Sequence, residues 1–156
     1  MKSVLSAVKK EYPAARHYCY AWRTGPAGDR IRSSDEGEPS GTAGKPILAQ
    51  IVSAELTNVI VVVVRYFGGT LLGTGRLIQA YKTAAAEALA AAGKEQRLVQ
   101  AAFTARFSDP EMSGVQRVLK MFDVRVFYAG YDTEHIFRFT VKRSDVFLLR
   151  AKFADL

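Results

Sequence analysis

The sequence predicts an α+β protein made of two small domains. Some segments alternate ring-bearing or apolar side chains with other residues, which indicates strands, and others place apolar residues three and four apart, which indicates helices. The stretch "GKEQR", Gly93 to Arg97, is typical of a linker, and the order of elements changes after it. We therefore expect one domain over residues 1–93 and a second over 98–156.

The first domain is predicted to begin with a helix that Ser3 caps and Pro13 ends. In "HYCYAWR" the ring-bearing residues alternate with His17, Cys19 and Ala21, which predicts a strand, and "RIRSS" is its expected partner. After the loop "SDEGEPSGTAGKP", Pro46 suits the first helical position of a second helix. The β-branched run from Val59 to Val64 then predicts a strand buried on both faces.

A third helix follows, with an apolar face that runs from Leu77 to Ala92 and a possible end at Gly93. The second domain has the order β-α-β-β-α. Its first helix opens with a capping box of Ser108 and Glu111, and its last helix is predicted to be capped by Ser144. This order lacks one strand of the split βαβ, ferredoxin-like arrangement, so we expect the second domain to be incomplete.

Composition excludes several classes of protein. The chain has 156 residues, 49% of them apolar, and its longest apolar run is far shorter than the roughly 20 residues that span a bilayer. One cysteine excludes an intrachain disulfide, and with two histidines it is too few for a Cys/His zinc cluster. These features predict a cytoplasmic protein without a membrane partner. The net charge of +7 favours a polyanionic partner such as RNA.

The glycine-rich stretch "RYFGGTLLGTGRL" was compared with known phosphate-binding loops. Gly68 and Gly73 have the spacing of a P-loop, but Thr74 stands in its lysine position and Gly75 in its hydroxyl position. The run "GTGRLI" lacks the third glycine of a dinucleotide fingerprint. Two interpretations stay open: the helix start binds an isolated phosphate with help from arginines, or the glycines serve positive φ angles and close packing.

The acidic loop places Asp35, Glu36 and Glu38 around a glycine. Three carboxylates so close could hold Mg²⁺ or Ca²⁺, but the EF-hand spacing is absent. A solvated acidic turn is the simplest alternative. We favour a third interpretation, in which one carboxylate pairs with Arg65 or Arg32 and ties the acidic loop to the glycine turn. His17, His135 and Cys19 are expected to be structural, and no cofactor or catalytic residue is predicted.

Together the motifs "RSSDEGEPSGTAGKPIL" and "VVVVRYFGGTLLGTGRLIQAY", with "HYCYAW" upstream, resemble the Impact family and its bacterial, YigZ-like branch. The resemblance covers about residues 9 to 92, and the second unit resembles the small C-terminal domain of bacterial members. It implies two α/β sandwich domains, the first like ribosomal protein S5 domain 2 and the second ferredoxin-like, as in the C-terminal domain of elongation factor G. We also expect the chain to be incomplete at one or both ends, since the family usually has a strand before the first helix and the second unit lacks a strand.

The resemblance implies a set of ligand-binding positions. Glu36 stands where the family usually has aspartate, and Arg76 where it usually has glycine. The positions that we carry forward as candidate ligand-binding residues are Asp35, Glu36, Glu38, Lys45, Arg65, Tyr66, Gly68, Gly69, Gly73, Gly75 and Arg76.

Three functions stay open at this point. Eukaryotic Impact regulates translation by competing for a ribosome-associated protein, so the resemblance favours a non-enzymatic, translation-associated binding protein. Its partner would be RNA, the ribosome or a translation-regulatory protein, contacted through a basic surface and a cleft between the two loops. The first alternative is an enzyme that acts on a phosphorylated small molecule in that cleft, with Asp35 or Glu38 as base or metal ligand. The second is a protein-binding regulator that does not contact RNA.

Overall fold

The structure is a computed structural model that describes residues 2–69 and 72–156. Met1, Thr70 and Leu71, the last two of which belong to the glycine turn considered above, lie outside the described residues. The chain divides into two compact units, with the division between Lys94 and Glu95.

The first unit holds a three-stranded antiparallel sheet and three helices. The order of its elements is α1 (Lys2–Glu11), β1 (His17–Thr24), β2 (Arg30–Ser34), α2 (Gly44–Ser53), β3 (Val59–Arg65) and α3 (Thr74–Ala91). Strand β1 lies between the other two, so the strand order is β2-β1-β3. The register places His17 of β1 opposite Arg65 at the end of β3.

The core of the first unit lies between the sheet and helices α2 and α3. Strand β1 contributes its small residues, Cys19 and Ala21, while the helices contribute a set of mostly apolar side chains: Ile47, Ile51, Leu77, Tyr81, Ala85 and Leu89. The prediction that Val59 to Val64 is buried on both faces is wrong. This strand is an edge strand in which only Val61 is fully buried, because helices cover one face alone.

The second unit also holds a three-stranded antiparallel sheet, and two helices. The order of its elements is β4 (Gln100–Phe107), α4 (Met112–Lys120), β5 (Arg125–Tyr131), β6 (His135–Lys142) and α5 (Val146–Ala154). A short 3₁₀ turn precedes each helix. The last strand in sequence, β6, lies between the other two, which gives the order β4-β6-β5.

Helices α4 and α5 share one core with this sheet, built around Phe139, Val141 and Leu149. The predicted capping box is confirmed, because the Ser108 N–H donates to the Glu111 carboxylate at 2.8 Å. The predicted cap of the last helix is wrong. Helix α5 begins one residue later, after Asp145, and the Ser144 hydroxyl donates to the Asp145 carboxylate instead.

The predicted mixture of helices and strands is confirmed: the described residues form two small antiparallel sheets and five helices. Among the described residues, no helix combines the length and the apolar character that crossing a membrane would require.

Candidate functional site

The acidic loop between β2 and α2 is built around the Asp35 carboxylate. Its Oδ1 accepts hydrogen bonds from the N–H groups of Ala43 (3.0 Å) and Gly44 (2.8 Å), and its Oδ2 accepts one from Gly41 (2.8 Å). Burial raises the pKa of this carboxyl, but the three backbone donors outweigh burial and lower the pKa below its ordinary value. Asp35 therefore caps α2 from a distance, and α2 begins at Gly44, two residues before the predicted start at Pro46.

Glu38 lies at the meeting point of three elements and is the most buried of the loop carboxylates. Its side chain is 4% exposed, and Oε1 accepts hydrogen bonds from the Arg65 guanidinium at 2.5 Å and the Tyr81 hydroxyl at 2.9 Å. The prediction that Arg65 pairs with a carboxylate of this loop is confirmed, and its partner is Glu38. The pair joins the acidic loop to the end of β3.

Three further residues of this site were missed as site residues in the sequence. Burial raises the pKa of Tyr81, so its hydroxyl stays protonated and donates to Glu38. Cys19 Sγ lies 3.2 Å from the Tyr81 hydroxyl oxygen and 2.9 Å from the Asp35 carbonyl oxygen. Burial raises the pKa of this thiol to about 11, which keeps it from acting as a nucleophile at neutral pH. His17 Nδ1 lies 3.1 Å from the Glu36 carbonyl oxygen and 4.0 Å from Glu38 Oε1.

A signal in the sequence could have located two of these three. Cys19 and His17 stand two residues apart on β1, so their side chains lie on the same face of the sheet. Both are near the start of β1, beside the acidic loop. Tyr81 was predicted to be on the apolar face of α3, which is correct, but the pattern does not show that its hydroxyl reaches Glu38.

The four glycines of the glycine turn differ in conformation. Gly69 and Gly73 have positive φ angles of 88° and 75°, which favour glycine, whereas Gly68 and Gly75 do not. A Cβ atom added at any of the four would meet no described atom within 4 Å. Positive φ therefore explains two of the glycines, and packing against the described residues explains none.

The remaining candidate residues are exposed around these loops. Tyr66 is 57% exposed just beyond β3, and Lys45 and Arg76 lie exposed in the first turns of α2 and α3. Within the described part of the chain, neither cation has a salt-bridge partner. The N-cap position of α3 is Gly73, which has no side chain to accept a hydrogen bond from the first backbone N–H groups of the helix. Glu36 is exposed and forms a 3.7 Å ion pair with Lys9.

The chemistry of this arrangement follows from which groups are already engaged. Asp35 accepts from three N–H donors with both of its carboxylate oxygens, and Glu38 accepts from a guanidinium and a hydroxyl with Oε1. Over residues 2–69 and 72–156, no cluster of three or more His, Cys, Asp or Glu side chains has a geometry that could hold a metal ion. The groups that face outward include two cations and glycine backbone, and also the Glu36 carboxylate and the side chains of Tyr66, Phe67 and Leu72.

Comparison with known proteins gives consistent matches. A family model described as the Impact N-terminal domain matches residues 1–89. Over 156 aligned residues the chain is 35% identical to IMPACT family member YigZ of Escherichia coli (strain K12), covering 99% of this chain and 76% of that protein. It is 36% identical over 126 residues to an IMPACT family member of Haemophilus influenzae, covering 80% of this chain and 61% of that protein.

A solved structure, described as the crystal structure of a hypothetical protein, has a similar fold. It superposes with a TM-score of 0.70 at 34% identity, and the alignment covers 99% of this chain and 76% of that one.

Proposed function

This chain belongs to the Impact family, and from that membership we propose that it is a non-enzymatic, translation-associated binding protein of the cytoplasm. The proposed partner is RNA, either free or as part of the ribosome. The proposed contact surface consists of the two loops of the first unit and the cations beside them.

One observation carries this proposal: the loop carboxylates are used to build the loops. Asp35 fixes the start of α2, and Glu38 joins the acidic loop to β3 and α3 through Arg65 and Tyr81. Among the groups that these bonds leave exposed are Lys45, Arg76 and glycine backbone. Such a surface suits recognition of phosphate groups, which accept hydrogen bonds from cations and backbone N–H groups alike.

The finer fold assignments are also proposals. We propose that the first unit is related to ribosomal protein S5 domain 2, and that the second is ferredoxin-like. Support for the second comes from the order β4-β6-β5 with antiparallel pairing throughout, which corresponds to three strands of the split βαβ arrangement.

The enzymatic alternative requires a carboxylate that can act on a substrate. An Asp35 base would have to give up the donors that hold the acidic loop, and a Glu38 base would have to break its pair with Arg65. The geometry therefore favours binding over catalysis. A regulator that binds protein alone remains as an outcome of the test below.

The proposal is tested by the salt dependence of RNA binding. Fluorescence anisotropy of a labelled single-stranded RNA should show binding at low salt that weakens steeply toward physiological salt, because each neutralised phosphate releases counterions. Arg76→Ala should weaken binding of all sequences alike and reduce the slope of log K against log salt by about 0.7, the value for one phosphate contact.

Lys82→Ala is the matched control, because it removes one exposed positive charge from the same helix at a position outside the two loops. A loss of slope as large as that of Arg76→Ala would mean that only net charge matters, and would exclude the loop surface. Pull-down from lysate with and without ribonuclease adds a second test. Partners that persist after ribonuclease, with no binding to RNA at low salt, would favour the protein-binding alternative. Turnover of a phosphorylated compound that Asp35→Asn or Glu38→Gln abolishes would favour an enzyme.

A further inference from the structure

The sheet of the second unit has one face that no helix of that unit covers. Along β4, exposed and core-facing side chains alternate, with Phe103, Ala105 and Phe107 directed to the core. The opposite set on β4 is exposed, and the strand register continues it across β6 to β5, where Ile136, Thr140 and Gly130 are half-buried and the other residues of the set are exposed. This open face, as we call it, consists of Gln100, Ala102, Thr104, Arg106, Ile136, Arg138, Thr140, Arg125, Tyr128 and Gly130.

The open face is cationic. Arg106, Arg125 and Arg138 are all exposed, one on each strand, and none has a salt-bridge partner within the described part of the chain. The three strands contain no aspartate or glutamate at all. Lys142, at the end of β6, is paired with Asp123 at 3.1 Å and is left out of the face for that reason.

The open face also carries an aromatic ring, that of Tyr128 on the edge strand β5. Tyr128 is 45% exposed, and the Arg138 guanidinium lies over its ring, 5.1 Å from the centroid. A Cβ atom at Gly130 would overlap the Tyr128 hydroxyl, so the absence of a side chain at Gly130 lets the ring extend along β5 close to the backbone. The ring and the guanidinium together form a stacking surface that is held in place by the strand.

We propose that the open face binds single-stranded RNA. An unpaired base stacks on the surface formed by Tyr128 and Arg138, and the flanking phosphates contact Arg106 and Arg125. Stacking requires a base whose face is free, which a duplex does not offer, and aromatic and guanidinium planes on sheets accept such bases. Thr104, directly opposite Arg138 in the register, offers an exposed hydroxyl to a ribose 2′-OH, which DNA lacks.

This surface belongs to a different unit from the loop site, so the two proposals depend on different residues. The loop surface rests on Lys45 and Arg76, and the open face on Tyr128 and its arginines. Loss of RNA binding in a Tyr128 variant, with Arg76→Ala unchanged, would contradict the loop surface and support the open face. Loss of RNA binding in Arg76→Ala, with the Tyr128 variant unchanged, would contradict the open face and support the loop surface.

The test uses the full chain and fluorescein-labelled 10-nucleotide RNA of mixed sequence, the matching DNA strand and the RNA duplex. We expect the single-stranded RNA to bind most tightly. Tyr128→Ala should weaken its binding roughly 5- to 150-fold without changing the salt slope, because base stacking on one aromatic ring is lost and no charge is removed. Tyr128→Phe keeps the ring and should bind within about twofold of wild type.

Tyr131→Ala is the matched control. It removes an exposed tyrosine from the same strand, but that ring packs 4.9 Å from His135 and lies outside the open face. Its RNA affinity should stay at the wild-type value, and thermal unfolding followed by circular dichroism should show all variants folded. As a second measurement, RNA containing 5-iodouridine should crosslink under ultraviolet light to Tyr128, mapped by mass spectrometry. Wild-type affinity in Tyr128→Ala, equal binding of RNA and DNA strands, or preference for the duplex would each overturn the proposal.

Discussion

Glu38 is the residue on which the loops of the first unit converge. Burying a carboxylate to 4% exposure costs free energy, which a charged partner offsets because water no longer solvates the group. The Arg65–Glu38 ion pair should therefore show its effect on stability mainly when one partner is removed, as a loss in the free energy of unfolding.

We predict that Arg65→Met lowers the free energy of unfolding by roughly 3 kcal/mol, since it leaves a buried carboxylate without its cation. The measurement is urea unfolding followed by fluorescence of Trp22, the single tryptophan of the chain. Adding Glu38→Gln should recover part of the loss, because the unpaired charge is then removed. A double variant less stable than Arg65→Met alone would contradict this account. Arg76→Ala, at an exposed position, should change stability by less than about 0.5 kcal/mol.

For single residues, the sequence predicts some side-chain contacts and misses others. The pairing of Arg65 with the acidic loop follows from opposite charges in two irregular stretches, but which carboxylate it meets depends on the turn. Glu36 adopts a positive φ of 40° and Gly37 one of 88°, and this turn directs Glu38 inward. No periodic pattern encodes such a turn, and Tyr81 reaches the site only because α3 packs behind it.

At the scale of elements, the start of α2 shows how a loop residue can position a helix. Asp35 lies nine residues before Gly44 and still accepts its N–H, so the acidic loop closes onto the helix end. A negative charge there is also favoured by the helix dipole. Gly44 is required for this closure, because a Cβ atom at that position would come within 2.6 Å of the backbone of Ser34.

We predict that Asp35→Asn lowers the free energy of unfolding by roughly 2 kcal/mol at neutral pH, since hydrogen bonds to a charged acceptor are lost. The native pKa of Asp35 lies below its ordinary value, so its stabilising effect is complete above about pH 4 to 5 and is lost as pH falls through the native pKa. The difference between wild type and variant should therefore shrink in acid. Urea unfolding by Trp22 fluorescence from pH 7 to pH 3 measures it.

Asp29→Asn is the control for this prediction, because Asp29 is exposed in a turn of the same unit. That substitution should change stability by less than about 0.5 kcal/mol across the range. A difference between wild type and Asp35→Asn that stays constant or grows in acid would show that Asp35 acts through shape and not through charge.

The types and order of the elements were predictable, and their burial and ends were less so. Alternation, a β-branched run, an expected strand partner and helical spacing predicted the six strands and five helices that the described residues form. The burial of β3 was overestimated because a β-branched run looks the same in a central strand and in an edge strand. The Ser144 cap failed because a 3₁₀ turn moves the start of α5 by one residue, and side-chain spacing does not distinguish a 3₁₀ turn from an α-helical one.

At the scale of the whole molecule, the chain combines two units that each bury their own core. The first core centres on residues such as Ile47 and Ile51, and the second on Phe139, Val141 and Leu149. The positive charge is spread over both units, so each can carry its own cationic surface. Neither surface could be predicted in full from the sequence, since strand register determines which arginines share a face.

Because each unit has its own core, we propose that each unfolds as its own cooperative block. Val141→Ala removes two methyl groups from a fully buried site in the second unit and should destabilise that unit by roughly 1 to 3 kcal/mol. Trp22 lies in the first unit, so its fluorescence midpoint in urea should stay unchanged, while the far-ultraviolet circular dichroism transition, which reports both units, should broaden toward lower urea. Ile51→Val, in the first core, should shift the fluorescence midpoint by the equivalent of about 0.5 to 1.5 kcal/mol. If Val141→Ala moves the Trp22 midpoint as far as Ile51→Val does, the two units unfold together. The two RNA-binding surfaces would then depend on each other's folding and could not be treated as independent.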